Sequence, residues 1–388
     1  MHSVLLIIFI FCVSAILHSY VFYPLLLFLV APKRNIYINV YSKDENLPQV
    51  SILMAAFNEE KVINEKIKSV FETDYPLDKI TFYIGSDAST DKTNEIIKAW
   101  SEKYSQVKFV EFKGRTGKSA IINQLAHLSN SEIFILTDAN VMFKKETIFN
   151  LIRHFKNKNK GQVCAGIIKV SDINSGIASQ EKSYIALENK IKYNESLIWN
   201  VVMGAEGACY AIRKENFAEI PPKFYMDDFF ITMNVIEQGK EIVFDNEAVC
   251  YEDVPTQSSE EFKRKVRISI GNFQNLFRYK KMLLPIWKGT TFAFWSHKVF
   301  RWLTPFFLIA ALLSSFLLAF SFKYFVPLSA LQIIGFLMPV IDKVFKVNFK
   351  PLKFISHFYL MNLALLKGFL IFTKGVQSNV WQPTKRNV

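Results

Sequence analysis

Four polar residues in the middle of the chain stand just after short apolar runs, where a binding site for a charged ligand could form. Asn58 follows VSILMAAF, Asp87 follows ITFYIGS, and Asp138 follows IFILT. Arg115 comes three residues after the run VKFVEF. Ligands of open parallel sheets bind beyond the carboxyl ends of the strands. If these runs are strands of one sheet, the four side chains are therefore predicted to converge on one edge.

The segment GRTGKS, residues 114–119, has the setting of a nucleotide-hydrolysing P-loop, between a predicted strand and a predicted helix. The P-loop spacing requires glycine at position 112, where this chain has Phe112. The segment is therefore not predicted to be a P-loop. Arg115 and Lys118 can still face the same anion, which favours a phosphate-bearing ligand.

The elements that would position these residues alternate between strand and helix. Apolar runs predict four strands, and helical spacing predicts helices between them. Alternation of this kind is typical of a mostly parallel sheet with helices on both faces, an α/β fold. The predicted strands are Val50–Ala56, Ile80–Gly85, Val107–Phe112 and Ile133–Thr137, and the predicted helices include Thr90–Trp100, Lys118–Leu128 and Phe229–Gln238.

The composition separates membrane-like ends from a charged middle. Of 388 residues, 51% are hydrophobic and 21% are charged, and Met1–Pro32 holds no acidic or basic residue. Such a chain is neither a simple soluble enzyme nor a pure transporter. The net charge of +13 suits nucleic acid or the anionic inner leaflet of a membrane, and the apolar segments favour membrane lipids over nucleic acid. Four cysteines without C-x-x-C spacing argue against a zinc site, and Cys164, Cys209 and Cys250 fit small core residues in a reducing compartment.

Apolar segments predict membrane-spanning helices at both ends of the chain. Val4–Val30 is expected to be an uncleaved anchor, and the basic residues after it place the middle of the chain in the cytoplasm. Trp302–Phe322 and Tyr324–Ile341 are the next two spans, and Phe354–Phe372 is either a fourth span or an interfacial helix. Four spans would place the tail outside, whereas its basic residues favour the inside. The basic, amphipathic stretch Phe262–Leu284 predicts a helix on the inner leaflet.

The order of the motifs resembles that of the family 2 inverting glycosyltransferases with a GT-A fold, and most closely their membrane-bound bacterial polysaccharide synthases. The resemblance covers about residues 50–275 and predicts a nucleotide-sugar donor. The motifs taken together, in this order, indicate the family more strongly than any single motif does. The motifs are VSILMAAFNEE (50–60), GSDASTDKT (85–93), GRTGKSAIIN (114–123), TDAN (137–140), EGACYAIRKE (206–215) and YMDDF (225–229).

The resemblance assigns the first motifs to the nucleotide. Asn58 and Glu59 would bind its uridine part, and the Asp87 carboxylate would accept a hydrogen bond from a uracil N–H. Asp91 would do the same work or cap its helix. Arg115 and Lys118 would bind the phosphates.

The resemblance also implies a divalent cation, Mg²⁺ or Mn²⁺, on the diphosphate. Asp138 begins the family's D-x-D motif, but the second acid is replaced by Asn140, whose amide oxygen can coordinate without bringing charge. If it does not bind a cation, Asp138 is predicted to be an ordinary turn residue.

Asp227 and Asp228 match the acidic pair of the family, in which the second acid is the general base. Asp228 would accept the proton of the acceptor hydroxyl, and Asp227 would position it or raise its pKa. The alternative is that the pair caps a helix. Arg267 matches an arginine that binds the diphosphate in processive synthases, whereas their stacking tryptophan is replaced by Ile268. Addition of one or a few sugars per encounter is therefore predicted.

The predicted protein is a membrane-anchored, inverting glycosyltransferase of the cell membrane, with a lipid-linked glycan or a surface polysaccharide as acceptor. One alternative loads a single sugar onto polyprenyl phosphate, and another is a non-catalytic scaffold that keeps the fold. The sequence leaves the donor sugar and protein partners open. The predicted domains are an anchor (1–32), a GT-A domain (46–255), interfacial helices (256–290), a C-terminal membrane region (291–375) and a tail (376–388).

Overall fold

The computed structural model describes residues 1–33, 35–170, 176–253, 258–345 and 349–376, with side chains left out at 176–181 and 258. The chain divides into two compact units. The helical unit comprises Met1–Leu29 and Ser258–Gly375, and the sheet unit comprises Val30–Gln257 and Val376–Val388. Residues 377–388 of the predicted tail, and the predicted boundary at 255–256, lie outside the described residues.

The sheet unit is built on one mixed sheet whose strand order is β3-β2-β1-β4-β7-β6-β8-β5. The neighbours β3, β2, β1 and β4 are mutually parallel, while β7 runs antiparallel to both β4 and β6. The four strands predicted from sequence are confirmed, with the second ending two residues later than expected. The strands are β1 (Val50–Ala56), β2 (Ile80–Asp87), β3 (Val107–Phe112), β4 (Ile133–Thr137), β5 (Val141–Phe143), β6 (Lys160–Val170), β7 (Cys209–Arg213) and β8 (Glu241–Asp253).

Strand β1 shows why the sequences of the central strands consist of consecutive, mostly apolar residues. All seven of its residues are buried, because it has a strand on each side and protein on both faces. The hydrophobic core continues from β1 through Phe82 and Ile135 on its neighbours to Ile67 and Ile97 on the helices.

The helices alternate with the first strands, as an α/β fold requires. The sheet unit contains α3 (Ile63–Phe71), α4 (Thr93–Lys103), α5 (Lys118–Leu128), α6 (Thr147–Ile152), α7 (Gly176–Trp199) and α8 (Asp227–Glu237). The helical unit contains α1 (His2–Leu17), α2 (Tyr23–Val30, whose last residue falls in the sheet unit), α9 (Ser258–Arg278), α10 (Gly289–Ala293), α11 (Phe300–Ala319), α12 (Phe325–Phe345) and α13 (Lys350–Thr373). Short 3₁₀ turns occur at Leu77–Lys79, Arg153–Lys156, Lys214–Asn216 and Lys280–Leu283.

Within the described residues, four helical segments have the length and apolar composition to cross a membrane. They are His2–Val30, Gly289–Ala319, Phe325–Phe345 and Lys350–Thr373. The first two are continuous because π-helical turns join α1 to α2 and α10 to α11. The last segment, Lys350–Thr373, has 24 residues and is long enough to be a fourth span. All four cysteines are buried free thiols, as predicted for Cys164, Cys209 and Cys250.

The basic helix α9 packs against α13 within the helical unit. A Cβ atom on Gly368 would lie 2.4 Å from the Cβ atom of Ser269, so glycine permits a close crossing of the two helices. The Ser269 hydroxyl donates to the carbonyl oxygen of Leu365 at 2.6 Å.

Candidate active site

The carboxyl ends of β1, β2 and β4 bring three of the predicted residues to one edge of the sheet. Asn58 and Asp138 follow their strands, and Asp87 is the last residue of β2. Since the three strands are parallel, these residues share that edge. Arg115, in the loop between β3 and α5, and Lys118, the first residue of α5, reach the same edge through ion pairs with Asp87 and Asp138.

The loops after β1 and β2 are joined by hydrogen bonds. Asn58 accepts a hydrogen bond from the backbone N–H of Thr90 at 2.8 Å, and its φ of 53° places it in the left-handed region, which asparagine tolerates. The buried Glu59 has its backbone N–H bonded to the hydroxyl of Thr93 at 2.8 Å. These bonds hold the two loops together at the edge where the nucleotide is predicted to bind.

Asp91 stabilises both the second loop and helix α4. Its two carboxylate oxygens accept from the backbone N–H groups of Thr93 at 3.0 Å and Glu60 at 3.1 Å. The first bond satisfies an N–H group at the start of the helix, which is the capping role considered above. The predicted helix start at Thr90 is three residues early because this loop precedes α4.

Asp87 is fully buried and holds the segment that begins helix α5. Its carboxylate accepts from the backbone N–H of Thr116 at 2.5 Å and of Gly117 at 3.2 Å, and from Nε of Arg115 at 3.2 Å. The Arg115 guanidinium in turn lies 3.3 Å from the ring centroid of Phe57. Asp87 therefore organises the basic segment, and its contact with a uracil N–H stays a prediction.

Lys118 connects two acidic motifs that are far apart in sequence. Its Nζ lies 2.7 Å from Oδ1 of Asp138 and 3.7 Å from Oδ2 of Asp227. Although burial opposes its charge, these carboxylates raise the pKa of the Lys118 ammonium above its usual value. A permanent positive charge thus lies where the predicted diphosphate would bind.

Asp138 and Asn140 lie on the short turn between β4 and β5. The Asp138 side chain is 37% exposed, so one carboxylate is open to a ligand from solvent. Nδ2 of Asn140 lies 3.5 Å from Oε1 of Glu252, and Glu252 also pairs with Lys169 at 2.6 Å. This arrangement turns the amide nitrogen of Asn140 toward Glu252.

These residues fit a cation that is held partly by its substrate. Among the described residues, no three His, Cys, Asp or Glu side chains cluster closely enough to hold a metal. Mg²⁺ commonly binds through one or two carboxylates together with substrate phosphates, rather than in a cage made by the protein. Asp138, with an amide oxygen two residues away, matches that donor set.

Asp227 and Asp228 begin helix α8 after Met226, which has a φ of 53°. Oδ1 of the buried Asp228 accepts from the backbone N–H of Phe229 at 2.7 Å. Burial first, and then repulsion from Asp227, raise the pKa of Asp228 to about 7, although Lys118 opposes the shift. A carboxylate with such a pKa can take up a proton near neutral pH.

Gly207 leaves room beside the Asp228 carboxylate. A Cβ atom at this position would lie 3.0 Å from Oδ2 of Asp228, so a larger residue would press on that oxygen. The neighbouring Glu206 pairs with Lys192, a lysine of helix α7 that is 1% exposed, and Glu206 further raises the pKa of Asp228.

Arg267 is half-buried on helix α9 of the helical unit, and its contribution to the site stays a prediction.

The sequence interpretation missed two buried residues near this edge. The Tyr210 hydroxyl is buried and has no hydrogen-bond partner among the described residues. Lys66 is fully buried in helix α3, where burial lowers its pKa to about 8. Its sequence signal was its spacing from Ile63, Ile67 and Val70, which places a charged residue on the apolar face of the helix.

Comparison with known proteins finds matches along most of the chain. The family model described as "Glycosyl transferase family 2" matches residues 51–220, and "Glycosyl transferase family group 2" matches residues 149–342, half of the chain. The probable glycosyltransferase YdaM of Bacillus subtilis is 26% identical over 238 residues, which are 59% of this chain and 56% of that protein.

A second relative is the poly-beta-1,6-N-acetyl-D-glucosamine synthase of Staphylococcus epidermidis. It is 25% identical over 246 residues, which are 62% of this chain and 58% of that protein. The matches thus span less than three fifths of the length of either relative. The mannosyltransferase PcManGT from Pyrobaculum calidifontis, solved with GDP-Man and Mn²⁺, has the same fold, with a TM-score of 0.68 and 19% identity over 94% of this chain and 99% of that one. The predicted GT-A fold with additional apolar helices is therefore confirmed.

Proposed function

Because the chain belongs to glycosyl transferase family group 2, we propose that it transfers a sugar from a nucleotide-sugar donor to an acceptor hydroxyl or phosphate, with inversion. The observation that carries this proposal is one cluster at the sheet edge, in which Lys118 contacts Asp138 and Asp227 while Asp228 lies beside them. It combines a positive charge for a diphosphate with a carboxylate that can accept a proton.

In the proposed reaction, an acceptor hydroxyl attacks the anomeric carbon as the bond to the nucleoside diphosphate breaks. Asp228 takes the hydroxyl proton, and its pKa of about 7 keeps a large share of the carboxylate ready at neutral pH. Lys118 and Arg115 stabilise the negative charge of the departing diphosphate. A single displacement of this kind converts an α-linked donor into a β-linked product.

Asp138 would hold Mg²⁺ or Mn²⁺, with Asn140 beside it on the same turn. The bound cation would neutralise charge on the diphosphate. The solved structure of the same fold contains GDP-Man and Mn²⁺, which supports testing both guanosine and uridine donors with Mn²⁺.

The acceptor is proposed to be a lipid-linked glycan or a cell-surface polysaccharide at the cell membrane. Four candidate membrane spans support an acceptor held at the bilayer, and the Staphylococcus relative is named as a polysaccharide synthase. The basic residues Lys33 and Arg34 after the first span favour a cytoplasmic sheet unit. Transfer of one sugar to polyprenyl phosphate is the second candidate, favoured by Ile268, which cannot stack on an acceptor sugar.

The test is to incubate membranes containing the protein with a panel of UDP- and GDP-sugars and to measure released nucleoside diphosphate. We expect release from one donor, and loss of that release in Asp228→Asn and Asp138→Ala. Asp78→Asn is the matched control because it neutralises an exposed aspartate of the same unit. For every donor, release from wild-type membranes no greater than from membranes lacking the protein would contradict the proposal and favour a non-catalytic scaffold.

A further inference from the structure

Lys66 is a fully buried lysine in the core of the sheet unit. Among the described residues, no carboxylate oxygen lies within the 4.0 Å of its Nζ that an ion pair requires. A buried ammonium is costly unless its hydrogen bonds are satisfied. Methionine, which has a similar length, would fill the same space without that cost. A specific contact must therefore explain what the ammonium contributes.

The ammonium contacts both ends of the turn between β4 and β5. Nζ donates to Oγ1 of Thr137 at 2.9 Å and to the carbonyl oxygen of Val141 at 2.5 Å. It also lies 3.6 Å from the ring centroid of Phe143. Thr137 and Val141 flank the three residues Asp138, Ala139 and Asn140. One side chain thus ties together the start and the end of the turn that carries the proposed cation ligands.

The same turn is also held by Ala208, the residue just before strand β7, through Thr137. Its hydroxyl donates to the carbonyl oxygen of Ala208 at 2.9 Å while accepting from Lys66. The backbone N–H of Asp138 points to the same carbonyl at 3.4 Å. Removal of Lys66 would leave Val141 without this donor and Thr137 with one contact fewer, so the spacing of the turn would be less restricted.

We propose that Lys66 is a positioning residue, which holds the turn at residues 137–141 so that Asp138 and Asn140 can bind a divalent cation together with a nucleoside diphosphate. This inference rests on the proposed function. Residues that orient metal ligands from behind typically change metal affinity about 10–100-fold when they are mutated. Lys66 would act in this way without touching donor or acceptor.

The test measures Mn²⁺ binding directly, with purified full-length protein. Free Mn²⁺ is followed by electron paramagnetic resonance in the presence of UDP, and separately of GDP, with protein-free blanks. Lys66→Met should weaken Mn²⁺ binding about 10–100-fold. Lys68→Met is the matched control, because it removes the same charge from an exposed position on the same helix and should bind Mn²⁺ as the wild type does.

Thr137 provides a second pair of variants in case Lys66→Met does not fold. Thr137→Val keeps the shape of the side chain but removes the acceptor for Lys66, whereas Thr137→Ser keeps the hydroxyl. We expect weaker Mn²⁺ binding in the valine variant and near-normal binding in the serine variant. With the donor that the wild type uses, Lys66→Met should also need more Mn²⁺ for half-maximal release and should recover part of its rate at saturating Mn²⁺.

The outcomes separate this inference from the proposed function. Wild-type Mn²⁺ affinity in a folded Lys66→Met protein would overturn the inference and leave the proposed function standing. If Lys66→Met does not fold, equal affinity in the valine and serine variants of Thr137 would overturn it. If the wild type neither binds Mn²⁺ with either nucleotide nor releases diphosphate from any donor, both are overturned.

Discussion

Substitution of Asp228 by asparagine is expected to separate catalysis from folding. The asparagine is nearly isosteric, and its amide oxygen can still accept the hydrogen bond from the backbone N–H of Phe229. The start of helix α8 should therefore be kept. What is lost is the ability to take a proton from the acceptor hydroxyl.

The expected loss of rate follows from the role of a general base. Such a group typically contributes about 10²–10⁴-fold, which corresponds to about 3–6 kcal/mol at about 1.4 kcal/mol per factor of ten. The wild-type rate should also depend on pH. With a pKa of about 7 for Asp228, about half of the carboxylate is deprotonated at pH 7 and about a tenth at pH 6, so activity should fall as pH decreases.

The same pKa predicts that Asp228→Asn stabilises the protein at neutral pH. Burial first, and then Asp227, raise the pKa from 3.8 to about 7, so the folded state holds the proton more tightly than the unfolded state does. The charged Asp228 therefore lowers the free energy of unfolding. This effect is absent below about pH 4, grows as the pH rises, and reaches its full size above about pH 7. A shift of about three units corresponds to at most about 4 kcal/mol.

The assay compares nucleoside diphosphate release and thermal denaturation for the wild type, Asp228→Asn and Asp78→Asn between pH 5 and pH 8. We expect Asp228→Asn to be almost inactive and more heat-resistant at pH 8, and Asp78→Asn to resemble the wild type. Asp227→Asn should shift the acid limb of the wild-type profile to lower pH, because it removes a repelling charge. Normal turnover by Asp228→Asn would refute Asp228 as the general base. If Asp227→Asn were inactive at the same time, the general base would be Asp227.

Three further predictions concern the cation, the diphosphate and the orientation in the membrane. Asp138→Ala should abolish release, whereas Asn140→Asp should keep it and bind Mn²⁺ more tightly because it adds a second charge; full wild-type activity in excess EDTA would contradict the cation. Arg267→Ala should impair donor use far more than Ile268→Ala does. Sizing of the products should find one or a few added sugars per acceptor. Long polymer formed while most of the acceptor remains unextended would show that the enzyme is processive. A cysteine in place of the exposed Lys98 should resist impermeant thiol reagents on intact cells, and its labelling would reverse the proposed orientation.

The central strands were readable from sequence because burial on both faces requires unbroken apolar runs. β1, β3 and β4 have the predicted boundaries, and the parallel pairing brings Asn58, Asp87 and the turn at Asp138 to one edge. Strand β7 is different, because it runs antiparallel between β4 and β6, which no local pattern in CYAIR specifies.

The roles of individual site residues were less readable, because they depend on partners that are distant in sequence. From sequence, an aspartate at the end of a strand can bind either a ligand or a neighbouring loop. In the structure, the Asp87 carboxylate accepts hydrogen bonds from the segment at residues 115–117. For Asp91 the sequence left two roles open, and the structure shows its carboxylate accepting from the backbone N–H groups of Thr93 and Glu60, while its contact with a nucleotide stays a prediction.

The sequence by itself determined the chemistry that is available: the acidic pairs, the basic segment, the apolar helices and the order of motifs. Only the tertiary structure decided that Lys118 reaches both Asp138 and Asp227, and that Lys66 ties Thr137 to Val141. The reason is physical: side-chain periodicity reports which residues are buried, whereas the partner of a buried charge depends on which strands and helices pack together.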